Sequence, residues 1–193
     1  MCGIIAPGRP RAALLIVCVA TTLAVSADAR AGAETQPPNL GRFDPSPIEI
    51  AERMLQLANV TRDDVVYDLG SGDGRIVILA ARRYGAHGVG VEIDPQLVWF
   101  ARQEAKRREV EHLVTFFHGD AVTANVSAAT VVTLFLTPQA NLLLRPKLQR
   151  ELRSGTRVVS HEHHMGDWAP QRVERVRARN GIFHTLYLWR IGS

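Results

Sequence analysis

A glycine-rich turn between an apolar run and a helix-forming run constrains the fold more than any other feature of this sequence. The turn, residues 68–74 (Asp-Leu-Gly-Ser-Gly-Asp-Gly), overlaps the apolar run 65–69 and precedes the helical pattern 75–84. Glycine lets the backbone turn sharply and approach a ligand without a Cβ clash. In open α/β sheets ligands bind outside the carboxyl ends of the strands. The pattern therefore predicts an α/β fold with a ligand site at this loop, and a purely structural tight turn is the alternative.

The residues of the turn also indicate which ligand it suits. Its glycines follow the spacing G-x-G-x-G, whereas dinucleotide enzymes use G-x-G-x-x-G. Asp73 places an anion where a pyrophosphate would lie, and Asp68 at the strand end can hold an ammonium group. A cationic ligand with an amino-acid tail therefore fits better than a dinucleotide. We expect it to be contacted by Asp68, Gly70, Ser71, Gly72 and Gly74.

Two further acidic residues follow the next two apolar runs. Glu92 comes 18 residues after Gly74, where an acidic side chain accepts from both ribose hydroxyls of a bound nucleoside. Asp120 lies in a Gly-Asp-Ala turn and can accept from an adenine amino group. Their neighbours Ile93 and Ala121 are expected at the same site. The alternatives are a solvated glutamate at a strand end and an ordinary Gly-Asp turn.

The rest of the body alternates helix and strand patterns. Continuous apolar strands are typical of a parallel sheet buried on both faces, and their alternation with helices indicates a doubly wound sheet. Ser46 and Glu49 predict a capping box before the first helix, and Pro146 should break the last one. The predicted fold is α/β, one domain over 46–193, with seven strands, mostly parallel, and a C-terminal antiparallel hairpin. The predicted helices cover 47–58, 75–84, 95–110 and 139–152, and the strands cover 65–69, 88–93, 113–117, 130–136, 156–160, 172–177 and 185–191.

The first 33 residues have the pattern of an export signal. Arg9 and Arg11 precede an uncharged run from 12 to 27, and small residues follow at 27–33. The run is short for a membrane span, which needs about 20 apolar residues. We expect a cleaved signal and an exported body. The alternatives are an uncleaved anchor, which would be the body's sole membrane contact, and a start site placed too early, which would leave the protein cytoplasmic. Residues 34–45 are expected to form an extended lead-in.

Charge and cysteine content exclude several functions for the body. The chain has 23 Lys and Arg against 19 Asp and Glu, and outside residues 1–33 the net charge is only +2. This balance gives no electrostatic support for a nucleic-acid partner. Both cysteines, Cys2 and Cys18, lie in the N-terminal segment. Disulfides, cysteine-based zinc sites and cysteine nucleophiles are therefore excluded from the body.

The segments 68–74, 91–94 and 119–121 resemble class I S-adenosylmethionine (SAM) dependent methyltransferases. Residues 67–77 and 97–102 look more specifically like the small protein-lysine methyltransferases that modify the ATP synthase c subunit and the adenine nucleotide translocase. The resemblance implies a Rossmann-like methyltransferase fold, SAM as the cofactor and a protein lysine as the substrate. A small-molecule methyltransferase, or a SAM-binding domain without catalysis, remains the alternative.

The same resemblance implies roles on the substrate side of the site. Thr137, Pro138 and Gln139 would face the methyl-transfer position, and the Pro-Ser-Pro lead-in at 45–47 would fold over the cofactor. No residue stands out as a general base. The segment lacks the Asn/Asp-Pro-Pro-Tyr signature that grips planar amides and adenine amino groups, which disfavours glutamine and N6-adenine methylation. Residues 160–165 depart from the animal members of the family.

A histidine-rich segment follows the fifth predicted strand. If that strand continues, His161 and His163 share one face, and with Glu162 or Asp167 they could bind zinc. A polar wall of the substrate cleft, or an exposed surface that includes His164, explains the same residues. We expect no metal site.

Overall fold

The computed structural model describes Gly3 and residues 44–192. The chain divides into two units, Met1–Thr35 and Gln36–Ser193, and every described helix and strand belongs to the second. The four described helices are α1 (Ile48–Leu57), α2 (Arg75–Tyr84), α3 (Pro95–Arg107) and α4 (Pro138–Glu151). The seven described strands are β1 (Val65–Leu69), β2 (His87–Glu92), β3 (Val114–His118), β4 (Val131–Leu134), β5 (Arg157–His161), β6 (Arg172–Arg177) and β7 (Phe183–Arg190).

The strands form one sheet in the order β3-β2-β1-β4-β5-β7-β6. The first five strands are parallel, and β7 pairs antiparallel with both β5 and β6. This arrangement confirms the predicted doubly wound sheet with its C-terminal hairpin. Strand order reverses between β1 and β4, so a crevice opens at their carboxyl ends, which is where such sheets bind ligands.

Both faces of the sheet are covered by apolar side chains. On one face α1 and α2 contribute Met54 and Val77 to a cluster that includes Val66 and Phe116. On the other face α4 packs with Trp189 and its neighbours in a second cluster. The continuous apolar strands are thus explained, since each central strand must bury both of its faces.

The start of α1 differs from the predicted capping box. The helix begins at Ile48, and Pro47 at the cap position makes no side-chain cap hydrogen bond. The Ser46 hydroxyl instead lies 2.8 Å from Nδ1 of His161, and the Glu49 carboxylate accepts from the backbone N–H of Arg179. Both polar side chains serve distant segments of the chain, which local spacing does not reveal.

The predicted break in α4 is wrong. Pro146 lies inside a single helix that runs through it, with Pro138 in the first turn and Thr137 as the N-cap. A proline in a helix removes one hydrogen bond to the carbonyl four residues earlier, here that of Leu142. Leu142 is about half exposed. Water can therefore hydrate this carbonyl, while Leu144 and Leu148 remain buried on the opposite side.

The predicted signal segment and most of the lead-in, residues 4–43, lie outside the described residues, so the predictions made for them are not addressed by the fold. Among the residues that are described, no helix is long and apolar enough to cross a membrane.

Candidate active site

A cavity of about 480 Å³ opens at the carboxyl edge of the sheet. Its volume is within the range of about 300–1,000 Å³ typical of small-molecule sites. It lies over the ends of β1, β2 and β4, where the strand order reverses. The described residues that line it are Asp44, Pro45, Ser46, Asp68, Gly70, Ser71, Gly72, Asp73, Arg75, Ile76, Val91, Glu92, Ile93, Asp94, Leu97, Gly119, Ala121, Phe135, Leu136, Thr137, Pro138 and His163.

The glycine loop forms the floor of this cavity. Gly70 and Gly72 have φ angles of 80° and 53°, in the left-handed region that favours glycine. A Cβ on Gly70 would lie 2.6 Å from Cδ2 of Leu136. The backbone N–H groups of Gly70 and Ser71 both donate to the carbonyl of Val91, at 2.9 and 3.0 Å, which fixes the loop to β2.

Gly74 has a packing role, and its predicted contact with the cofactor stays a prediction. It does not line the cavity; it stands at the N-cap of α2 with a φ of 78°. A Cβ at this position would lie 2.5 Å from the ring of Phe116 and 2.9 Å from Cβ of Ala101. The third glycine of the loop therefore lets α2 approach β3 and α3 closely.

Glu92 connects the end of β2 to the glycine loop. Its Oε2 accepts from the backbone N–H of Gly72 at 2.7 Å, and its Oε1 accepts from those of Ile93 and Asp94 at 2.9 and 3.0 Å. A carboxylate has about four lone-pair positions, so these three bonds leave capacity for a ligand hydroxyl. The sequence predicted the ribose role of this residue but not its role in holding the loop.

Asp68 is a buried carboxyl group beneath the loop, with only 3% of its surface exposed. The Thr133 hydroxyl donates to its Oδ1 at 2.7 Å. Burial is the main cause that raises the pKa of Asp68 to about 7, and the negative charges of Glu92 and Asp73 add to it. A cationic group bound nearby would stabilise the carboxylate form, so the site gains from binding a cation.

Ser71 supplies a polar group that the protein itself leaves unsatisfied. Its hydroxyl is buried and has no hydrogen-bond partner among the described residues, and Ser71 is one of the residues that line the cavity. Buried polar groups are nearly always hydrogen-bonded in native proteins. A Cβ on Gly90 would lie 2.7 Å from this hydroxyl, so the unpartnered group packs against β2 at the base of the cavity. A partner supplied by the amino-acid end of SAM stays a prediction.

The other predicted site residues divide into two groups. Ile93, Ala121, Thr137 and Pro138 line the cavity, whereas Asp120 and Gln139 do not. The Asp120 Oδ1 accepts from the backbone N–H of Val122 at 2.8 Å and so stabilises its own turn. Its contact with an adenine amino group stays a prediction.

The lead-in forms one wall of the cavity. The sequence indicated that residues 45–47 would fold over the cofactor, but not how they are held there. Asp44, Pro45 and Ser46 line the cavity opposite the loop. Nη1 of Arg75 donates to the Ser46 carbonyl at 2.9 Å, while Nη2 lies 2.6 Å from a carboxylate oxygen of Asp73. Arg75 thus links the lead-in to the glycine loop, a role that sequence spacing did not suggest.

The condition under which His161 and His163 would share one face is not met. Strand β5 ends at His161, and the positive φ of 65° at Glu162 breaks the alternation of faces. His163 lines the cavity, whereas His161 is fully buried behind it, with its ring 4.0 Å from that of Phe135. Burial is also the main cause that lowers the pKa of His161 to about 3, so its imidazole is neutral.

The fold and this cavity define a class I SAM-dependent methyltransferase, and comparison with known proteins supports the same class. The model of the ANTKMT methyltransferase domain matches residues 68–172, more than half of the chain. The chain belongs to this family of methyltransferases. The predicted class, fold and cofactor are therefore confirmed.

Relatives of the chain are named for two kinds of substrate. A protein-lysine N-methyltransferase of Saccharolobus islandicus is 43% identical over 78% of this chain and 94% of its own length. The human lysine N-methyltransferase of the ATP synthase c subunit is 37% identical over 68% of this chain, which spans about half (55%) of the human protein. A solved structure described as an RNA methyltransferase from Salinibacter ruber, in complex with S-adenosyl-L-homocysteine, is 53% identical with a TM-score of 0.73. The match covers 77% of this chain and 94% of that one.

Proposed function

We propose that this protein transfers the methyl group of SAM to the side-chain amine of a lysine in a protein substrate. The observation that carries the proposal is the 43% identity to a protein-lysine N-methyltransferase over 78% of this chain, and the charge of the cavity agrees with it. Five carboxyl-bearing side chains line it: Asp44, Asp68, Asp73, Glu92 and Asp94. Of the described lining residues only Arg75 and His163 are basic, and Arg75 is paired with Asp73. An acidic cavity attracts cations and repels the phosphates of RNA.

The bound position of SAM follows from which polar groups remain available. Asp68 and the Ser71 hydroxyl would receive the ammonium and carboxylate end, above Gly70 and Gly72. The free lone pairs of Glu92 would accept from the ribose hydroxyls. The adenine would then lie towards Ile93 and Ala121.

SAM supplies an electrophilic methyl group, so the protein must orient the incoming amine and exclude water. Phe135, Thr137 and Pro138 line the substrate side of the cavity, and Pro45 of the lead-in closes it from the opposite wall. A lysine amine has a reference pKa near 10.4 and must lose its proton before it can attack. The carboxyl groups of the cavity would attract lysine in its ammonium form. Contact with the apolar part of the wall, at Phe135 and Pro138, would then disfavour the charged form and assist loss of the proton.

The test is a direct competition between substrate classes. The purified full chain is incubated with methyl-labelled SAM and a total cell extract, and the products are divided between protease and nuclease digestion. We expect label that protease releases and nuclease does not. Label released by nuclease would show an RNA methyltransferase, and label in neither fraction would indicate a small-molecule substrate or a SAM-binding domain without catalysis.

We further propose that the body works outside the cytoplasm after cleavage following Ala29, Ala31 or Ala33. The support is the order of basic residues, apolar run and small residues in the first 33 positions. N-terminal sequencing of the native protein tests this proposal. A mature protein that begins at residue 30, 32 or 34 is the expected result, and an intact Met1 on cytoplasmic protein would contradict it.

A further inference from the structure

Three side chains bring metal-binding atoms together behind the substrate wall of the cavity. His161 lies at the end of β5, Glu162 follows it, and His184 lies on β7. Nε2 of His161 is 2.9 Å from Nδ1 of His184, and that nitrogen is 3.0 Å from Oε1 of Glu162. The remaining edge of this triangle, from Nε2 of His161 to Oε1 of Glu162, is 3.5 Å.

Hydrogen bonding alone does not satisfy these three atoms well. A neutral imidazole has one proton for its two nitrogens, and a carboxylate has none. If Nδ1 of His161 donates to the Ser46 hydroxyl, 2.8 Å away, its Nε2 faces the group as a lone pair. A single proton, on Nδ1 of His184, then has to serve both Nε2 of His161 and the Glu162 carboxylate. Two acceptors thus share one proton. A cation that displaces this proton, which would move to the buried Nε2 of His184, would bind all three atoms.

The dimensions of the group agree with a zinc-type ion. Zinc binds nitrogen and oxygen at about 2.0–2.2 Å, so the donor atoms of a tetrahedral site lie about 3.3–3.5 Å apart. Two of the three separations, 2.9 and 3.0 Å, would have to expand by a few tenths of an ångström to hold the ion, and the third, 3.5 Å, already lies in this range. Two imidazoles and one carboxylate also form a donor set that zinc uses when its fourth position is open.

Two features of the surroundings support a built site. The Ser46 hydroxyl can accept from Nδ1 of His161, which would orient the ring as outer partners of metal-bound histidines do. Glu162 holds a backbone φ of 65°, which is uncommon for a residue with a Cβ and turns its side chain back towards His184. Such local strain persists only where surrounding structure requires it.

We propose that His161, Glu162 and His184 form a binding site for a zinc ion or a similar divalent transition metal. The ion would join the ends of β5 and β7 and, through His161 and Ser46, hold the lead-in against the cavity. This ligand set differs from the His161–His163 pair considered from the sequence, and the proposal replaces the expectation from the sequence that the chain has no metal site. It is independent of the substrate that the cavity methylates.

The site is tested with the full chain after removal of any affinity tag and treatment with a chelator. Zn²⁺ is titrated by calorimetry, and Co²⁺ by the visible absorption that four-coordinate cobalt shows. We expect one equivalent to bind, and we expect His184→Ala and Glu162→Gln each to weaken binding at least tenfold. His164→Ala is the matched control, because His164 is exposed and bonds only locally, to the N–H of Gly166. Zinc should also raise the Tm of the wild type and of the control, but not of the two ligand variants.

Two results would overturn the proposal: failure of the wild type to bind zinc, or equal affinity in the wild type and both ligand variants. Calorimetric titration of each variant with SAM shows whether it is folded. Glu162→Gln keeps the size of the side chain and so remains informative if His184→Ala does not fold.

Discussion

Asp68 is an energetically unfavourable buried carboxyl group at the base of the glycine loop. It is buried beside two other acidic side chains, and the pKa of its carboxyl is raised to about 7. Without a ligand, the Asp68 side chain is therefore either protonated or an unpaired buried charge. A cation bound nearby would stabilise the carboxylate form. A residue that costs stability in the empty state and gains interaction in the bound state is typical of a functional site.

Asp68→Asn should separate the stability cost of this carboxyl in the empty protein from the interaction that it gains when a cation is bound. A carboxyl whose pKa is raised on folding lowers the free energy of unfolding, and the effect is largest above the folded-state pKa. This destabilisation disappears as the pH falls from 7 towards 4. Without ligand, we expect the variant to melt above the wild type at pH 8, by a margin that shrinks towards pH 5. SAM should raise the Tm of the wild type at pH 8 more than that of the variant. A margin that does not change with pH would refute the assigned pKa.

Glu92→Gln should weaken SAM binding and loosen the loop, since the side chain holds Gly72 as well as the proposed ribose site. Loss of charged hydrogen bonds costs about 1.5–3 kcal/mol. We therefore expect SAM affinity to fall by about 10- to 150-fold in calorimetric titration. Glu111→Gln, at an exposed position, is the control and should bind like the wild type. Equal affinity in all three proteins would remove Glu92 from the site.

At the scale of elements, the close contact of α2 with β3 depends on Gly74. Gly74→Ala places a methyl group 2.5 Å from the Phe116 ring at a φ of 78°. Gly155→Ala is a matched control, because its φ is 88° but no atom lies within 4 Å of the added Cβ. Both variants carry backbone strain, while only the first adds overpacking, which costs about 1–3 kcal/mol. Urea unfolding should show Gly74→Ala to be the less stable variant by about that amount. Equal stability of the two variants would contradict the packing role.

The order of elements could be predicted from the sequence because apolar runs and glycine positions are local signals. The strand ends that form the cavity followed from that order, and so did the positions of Asp68, Gly70 and Glu92. Ser46, Arg75 and His184 could not be assigned in the same way. Their partners lie far along the chain or, for Arg75, include a distant backbone carbonyl. Pro146 misled the prediction because its cost depends on whether water reaches the freed carbonyl.

At the scale of the whole molecule, one acidic cavity serves both reactants. The sulfonium of SAM and the ammonium of the proposed lysine substrate are cations, and the cavity proposed to receive them is lined by carboxyl groups. The small net charge of the body, +2 outside the first 33 residues, adds no electrostatic support for a nucleic-acid partner. The proposed substrate preference therefore depends on the cavity and not on the overall charge.

The most direct test of this account is to find the atom that receives the methyl group. The full chain is incubated with an extract and SAM carrying an isotopically heavy methyl group, and the protein and RNA fractions are each digested and analysed by mass spectrometry. Asp68→Asn, treated in parallel, identifies label that depends on this site. The account predicts heavy methyl on the side-chain nitrogen of lysine, reduced in the variant. Heavy methyl on RNA bases, or on side chains other than lysine, would contradict it.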